Sequence, residues 1–371
     1  MQVALVVPGG VDRSGEYRVI PALLALIRRL ARQCDLQVIA LNQEKDAAEW
    51  EWEGAKIYNV GARSTRLNAI RLLHRLHRHA PLDVIQSIWS GTCGFVGVTA
   101  ARLLGVPSAV HIAGGELIAI PDIAYGGRLT GRGRIREALV LRGATAVTAA
   151  SSPIVDSVAA LGFRASRLPL GVDLTVWPPR NPVRRSPGQA ARLLHVASLN
   201  GVKDQPTLLR ALAAICEAGV PFELDVVGED TLNGEIQVLA AKLGLAERVR
   251  FHGFMTQRQL RPLVEIADLM LLTSRHEAGP LAVLEAAVVG VPTVGTAVGH
   301  LVEWAPTAAL SVAVGDWQAL AAAIRRVLDD EDLRISLARE AMQRAASEDA
   351  DHTARLFAQL HARLCHVRQK R

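Results

Sequence analysis

ADLMLLTSRHEAGPLAVLEAAVVGVPTVGT, residues 267–296, is the segment from which the architecture of this chain can be read outward. LMLL, residues 269–272, is a short apolar run that suits a fully buried strand, and PLAVLEAAVV, residues 280–289, has helical composition. GVPTV, residues 290–294, then supplies a turn and a second buried strand, so the whole is one parallel strand–helix–strand unit. Pro280 stands where a first helical residue is expected, with its φ preset and no amide wasted, and the amides of Leu281, Ala282 and Val283 then point out of the helix start. Such an end attracts anions. The loop before it carries Glu277, Ala278 and Gly279, and Glu285 follows roughly 8 Å along the helix from Pro280, at about 1.5 Å per residue. Two carboxylates thus bracket one anion site.

The same alternation runs through the rest of the chain. VALVV (3–7), VIPALLALIRRLARQ (19–33), LQVIAL (36–41), AIRLLHRLHRH (69–79) and VIQSI (84–88) interleave strand-like with helix-length runs, and VPSAV (106–110) and TAVTAAS (145–151) continue the sheet. This is an α/β chain with a mostly parallel sheet. At 371 residues and 50% hydrophobic content it exceeds one ordinary core and suits two domains. Aromatics are only 4%, so the interior is aliphatic, which favours helix-on-sheet packing. TVWPPRNPVRRSPGQAA, residues 175–191, holds four prolines including Pro187 and is expected to be the interdomain connection. The second domain restarts with the strand RLLHVA (192–197) and is expected to end near Arg344, after LAAAIRRVL (320–328) and a short helix. DHTARLFAQLHARLCH, residues 351–366, is a terminal amphipathic helix.

Several segments together carry a family resemblance. Glu277, seven intervening residues and Glu285 resemble the acidic signature of glycosyltransferase family 4, whose members are retaining and have the GT-B fold. VASLNGVKDQPTLL (196–209) is similar to that family's strand, phosphate-binding loop and lysine, and DVVGED (225–230) to its nucleotide-side glycine turn at Gly228. VRFHGF (249–254), ending in Phe254, resembles the strand and loop that hold the base, and LPLGVD (168–173) the end of the first domain. The similarity is strong over about residues 145–305 and loose before that. It implies two Rossmann-like, doubly wound parallel-sheet domains facing across a cleft: residues 1–180 on the acceptor side, residues 181–350 holding the nucleotide sugar, and helix 351–366 crossing back to the first.

The resemblance further implies transfer of a sugar from a nucleotide diphosphate, a UDP- or GDP-sugar, to a glycan or lipid-linked acceptor, with no cofactor and no metal. Lys203, with Asn200 and the amides near Gly201, would then neutralise the departing diphosphate. Glu277 would bond sugar hydroxyls, and Glu285 the ribose. His111 takes the place of a first-domain histidine facing the reaction centre, while Gly9 and Gly10, after the first strand, let the backbone approach a phosphate. Gly299 and His300 lie in a loop that would close over the donor, with Glu303 beside them. Ser198 stands where the family more often has an arginine, and Gly279 and Pro280 where it has Phe and Gly. Those departures keep a second reading open, a non-catalytic sugar-nucleotide or partner-binding module. A nicotinamide-dependent dehydrogenase is disfavoured, because PGGVDRSG (8–15) lacks G-x-G-x-x-G.

Charge is unevenly placed. Residues 1–180 hold 21 Lys plus Arg against 14 Asp plus Glu, and residues 181–371 hold 21 against 22, so the net +6 arises in the first half. Much of it sits in residues 63–79, where Arg71, Arg75 and Arg78 recur at helical spacing, and in GGRLTGRGRIRE (126–137). Such runs are ordinary solvated faces and a mobile loop, or else a contact with anionic lipid headgroups or an acidic acceptor. No stacking aromatics are interleaved, which argues against nucleic acid. No apolar run reaches about 18 residues and the N-terminus opens on a strand, so a cytoplasmic protein, peripheral at the inner membrane face, is expected. Cys34, Cys93, Cys216 and Cys365 stand far apart without metal-ligand spacing and are expected to be reduced packing residues.

Overall fold

The computed structural model describes residues 1–186 and 188–369; Pro187 lies outside the described residues. It divides into two units, one made of Met1–Gly171 with the terminal helix Ala350–Gln369, the other of Val172–Asp349.

The first unit is built on strands β1 (Gln2–Val7), β2 (Asp35–Ala40), β3 (Ala48–Trp52), β4 (Ala55–Asn59), β5 (Val84–Ile88), β6 (Ser108–Ile112), β7 (Ala146–Ala149) and β8 (Ser166–Arg167). They lie in the order β3-β4-β2-β1-β5-β6-β7-β8, parallel except for the β3–β4 hairpin, whose turn puts Glu53 and Gly54 at positive φ. Side chains alternate between faces: Val3, Leu5 and Val7 join one apolar cluster and Ala4 and Val6 the other. The terminal helix adds Ala354 and Phe357 to the first cluster, and Asp351 accepts from Arg29 Nε at 2.7 Å. Residues 126–137, expected as a mobile loop, include the start of a helix and closely packed glycines, although Arg132, Arg134 and Ile135 are exposed. A Cβ on Gly127 would meet the Glu116 carbonyl at 2.4 Å, and Thr130 caps the helix Gly131–Gly143 by accepting from the Gly133 amide at 3.0 Å.

The second unit contains β9 (Ala191–Val196), β10 (Phe222–Val227), β11 (Val249–Gly253), β12 (Leu269–Leu272), β13 (Thr293–Thr296) and β14 (Ala309–Val312), all parallel in the order β11-β10-β9-β12-β13-β14. Leu269 and Leu271 face one cluster, Met270 and Leu272 the other. The boundary falls at Gly171/Val172 rather than after residue 180, because Val172 and Trp177 are buried in this unit's core beside Val264 and Val283. The start of the proline-rich segment is therefore a strap on the second unit, held by the Arg180 amide on the Val288 carbonyl at 2.9 Å. The helix expected to be short runs over 17 residues, Glu331–Ser347.

The helix Gln205–Glu217 starts where Asp204, at φ +49, accepts from the Thr207 hydroxyl at 2.8 Å. Asp204→Ala is expected to lower the stability of this unit by about 1 kcal/mol, read from the denaturant midpoint; an unchanged midpoint would remove the cap from the argument.

Candidate functional site

In the second unit the strand order reverses at β9, with β10 and β11 to one side and β12 onward to the other. Ligand sites in open parallel sheets lie beyond the carboxyl ends of the strands at such a reversal. The loops following β9 and β12 meet there. Arg275 donates its amide to the Val202 carbonyl at 2.7 Å, and the Thr273 hydroxyl donates to the Lys203 carbonyl at 2.9 Å. From β13, the Thr296 hydroxyl donates to the Ser274 carbonyl at 2.6 Å. Beneath the loops His195 is fully buried, and burial drives its pKa down to about 4, so the ring is neutral. Its Nδ1 lies 3.0 Å from the Leu271 carbonyl and must donate, leaving Nε2 to accept from Gln205 Nε2 at 3.2 Å. Gln205 Nε2 also reaches the Ser198 carbonyl at 3.1 Å, so the floor of the loop is fixed by hydrogen bonds.

Lys203 and Glu277, read from segments 74 residues apart, come together as an ion pair. Their side chains are 23% and 13% exposed, and the buried Ser274 hydroxyl donates to the same Glu277 oxygen at 2.6 Å. Glu277 therefore has two donors, and Lys203 has its backbone amide anchored on the Asn200 carbonyl at 3.1 Å. Ala278, Gly279 and Pro280 lead on to the helix Leu281–Val288. Pro280 is the residue before the helix, in an extended conformation with ψ 109, rather than its first member. Its carbonyl takes the Val283 amide at 3.2 Å, so the expected three open amides become two, those of Leu281 and Ala282. No acidic residue occupies the first turn.

Glu285 on this helix is 8% exposed, and burial pushes its pKa up to about 7 against the opposing pull of Gln257, whose Nε2 donates to it at 2.6 Å. A Cβ on Gly228 would lie 2.0 Å from the Ala197 carbonyl, so the loop after β10 crosses the loop after β9 at backbone contact and only glycine fits. Phe254 is exposed just past β11. Gly299, at φ +50, backs onto the site: a Cβ there would lie 2.9 Å from Pro280 Cδ and 3.2 Å from Glu277 Cβ. His300 is buried and stacked on Trp304 at 6.0 Å between centroids, with Nδ1 3.8 Å from Glu303. Among the described residues, no group of three His, Cys, Asp or Glu side chains is arranged to hold a metal.

Gly9, Gly10 and His111 belong to the first unit. Gly10, at φ +78, carries no Cβ because one would meet Ile20 at 2.6 Å, and Gly9 packs on Gln43. His111 corrects an expectation. It lies within β6 rather than beyond it and is fully buried, its Nδ1 3.0 Å from the Thr148 hydroxyl and its ring 5.4 Å from Phe357. Burial drives its pKa down to about 3, so the ring is neutral, and no face of it is open to a ligand. Two contributors escaped the sequence reading. Ser274 lay within the first segment quoted, three residues before Glu277, whereas nothing in the sequence marks Gln257 as a partner of Glu285.

Comparison with known proteins agrees with this architecture along the chain. A family model described as glycosyl transferases group 1 matches residues 181–344, and one described as a glycosyl transferase 4-like domain matches residues 19–171. The second of these covers the part of the chain before residue 145, where the resemblance in sequence is loose. The chain is 27% identical over 312 residues to the 2-deoxystreptamine glucosyltransferase of Streptomyces kanamyceticus, covering 77% of this chain and 79% of that one. It is 33% identical over 180 residues to the glycogen synthase of Mycobacterium tuberculosis, covering 48% of this chain and only 43% of that protein. The sucrose-phosphate synthase structure from Thermosynechococcus elongatus superposes with a TM-score of 0.82 at 18% identity, covering 99% of this chain and 100% of that one, a likeness of fold. With both units matched by these models, the chain belongs to the family 4-like glycosyltransferases of GT-B fold.

Proposed function

We propose that this glycosyltransferase moves a hexose from a UDP- or GDP-sugar to an acceptor hydroxyl with retention of configuration, in the synthesis of a glycan, polysaccharide or glycolipid. The observation that carries this reading is the Lys203–Glu277 pair set beside the open helix start at Leu281 and Ala282, at the sheet reversal. A diphosphate placed there takes the Lys203 ammonium from Glu277 and the helix amides together, which stabilises it as a leaving group without a metal or cofactor. Glu277, released, accepts from sugar hydroxyls, and Glu285 accepts from the ribose. Ser198 adds no charge to the clamp, whose cation is Lys203. Calorimetry with UDP and GDP, followed by donor hydrolysis assays, tests the reading. Micromolar binding with slow hydrolysis is expected; binding without turnover on any acceptor would identify a non-catalytic module instead.

The first unit supports a peripheral membrane contact at the inner face. Arg71, Arg75 and Arg78 are exposed along the helix Thr65–His79, and Leu67 and Leu103 stand 50% and 71% exposed near them. No helix among the described residues is long and apolar enough to cross a membrane. Co-sedimentation with phosphatidylglycerol vesicles, lost in 0.5 M salt by screening, is the expected outcome, and binding equal on neutral vesicles would contradict it.

A further inference from the structure

The first unit has its own reversal, with β1 between β2 and β5, and beyond the carboxyl ends of these strands opens a cavity of about 960 Å³. Pro8 follows β1 into it, Leu41 and Asn42 follow β2, and Trp89 follows β5. A hollow of this size at such a place takes a small molecule or one moiety of a larger one. Its lining is of two chemical kinds. Leu41, Leu67, Trp89 and the buried Cys93 give it apolar walls. Thr65 and Arg66 also line it, at the start of the 15-residue helix Thr65–His79. The Arg66 guanidinium sits 5.7 Å from the centre of the Phe95 ring, which orients it without neutralising it. Among the described residues no carboxylate lines the cavity or pairs with Arg66. The helix start, with no acid in its first turn, adds to the same positive potential.

We propose that this cavity binds the acceptor, and that the acceptor joins an anionic group to an apolar body. The inference rests on the transferase reading above and names the chemistry of its second substrate. The apolar body lies against Leu41, Leu67 and Trp89, the anion pairs with Arg66, and Asn42 and Thr92 are available to neutral hydroxyls. An ammonium-bearing acceptor, such as an aminocyclitol, finds no countercharge in this cavity.

The test titrates the intact protein by calorimetry with n-octyl phosphate and n-octylamine. The phosphate is expected to bind at least about tenfold more tightly, a preference that Arg66→Glu abolishes and that Arg102→Glu, on a neighbouring helix outside the cavity, leaves intact. Equal binding of the two probes overturns the inference, as does a preference that both variants abolish alike, since that is diffuse attraction by a basic surface. Phosphatidylcholine vesicles with and without phosphatidylinositol separate the sources of the anion. Capture that depends on phosphatidylinositol and on Arg66 assigns it to a lipid headgroup, and binding of octyl phosphate alone assigns it to a soluble ester. UDP and GDP titrations of the same samples keep the two readings apart. Normal nucleotide binding without an anion preference overturns the acceptor assignment alone. Arg66-dependent anion binding in a protein that binds neither nucleotide overturns the transferase reading and leaves the anion site standing.

Discussion

Lys203→Ala is expected to lower kcat by about 10²–10³-fold, equivalent to about 3–4 kcal/mol of transition-state stabilisation, the scale of losing one preorganised charge at a leaving group. Lys203 is the cation paired with Glu277 at the sheet reversal, and Ser198 supplies no charge from the strand end before it. Glu277→Ala is expected to cost a similar factor for a different reason, since it frees the ammonium but removes the acceptor for the sugar hydroxyls. In the proposed mechanism the two side chains, paired with each other in the free protein, both turn to the donor and act as a unit, so the double variant should be little worse than the poorer single one. Stability should barely move, by about 1 kcal/mol or less, because the Ser274 hydroxyl still satisfies Glu277 and the Lys203 ammonium reaches solvent. Initial rates and melting curves on the three variants check this. Wild-type turnover in either single variant, or fully additive losses in the double, would sink the assignment.

The strand–helix–strand unit of residues 267–296 was legible because its apolar runs and turn residues agree at every level. The Lys203–Glu277 contact was legible only as two separate motifs. Nothing local joins residues 74 positions apart; they meet because β9 and β12 are neighbours, which is a property of the strand order. Pro280 slipped by one position because a proline suits both the first helical residue and the extended residue before it, and the backbone chose ψ 109. His111 failed on strand length. Whether a strand stops before or after a residue decides if its ring faces neighbours or solvent, and β6 continues to Ile112. Trp177 was lost among prolines that signal irregular backbone, although irregular backbone can still bury a large side chain. The β3–β4 hairpin was missed despite its signal, the alternation of Trp50 and Trp52 ahead of Glu53 and Gly54.

Glu285 is expected to make both stability and donor binding depend on pH, in opposite directions. Its pKa in the folded protein is raised to about 7 from an ordinary value of 4.5, chiefly by burial. Between those two values the folded protein holds a proton that the unfolded chain has released, so unfolding free energy falls as pH rises across that window and is flat above it. A shift of this size amounts to about 3 kcal/mol. Glu116 is likewise raised to about 7 by burial, so the total pH profile is not diagnostic of Glu285 alone, but the difference between wild type and Glu285→Gln is. The glutamine variant should gain stability relative to wild type as pH rises from 5 to 8, because it buries the same volume without a charge. Donor binding should run the other way. In the proposed donor site ribose hydroxyls would donate to the ionised carboxylate, so wild-type affinity for UDP or GDP should rise as pH increases through about 7, with a proton released on binding. Glu285→Gln should bind weakly at every pH and lose that rise. A glutamine variant that is no more stable than wild type at pH 8, and that binds the nucleotide with the wild-type pH profile, would show that Glu285 is a packing residue with no part in the donor site.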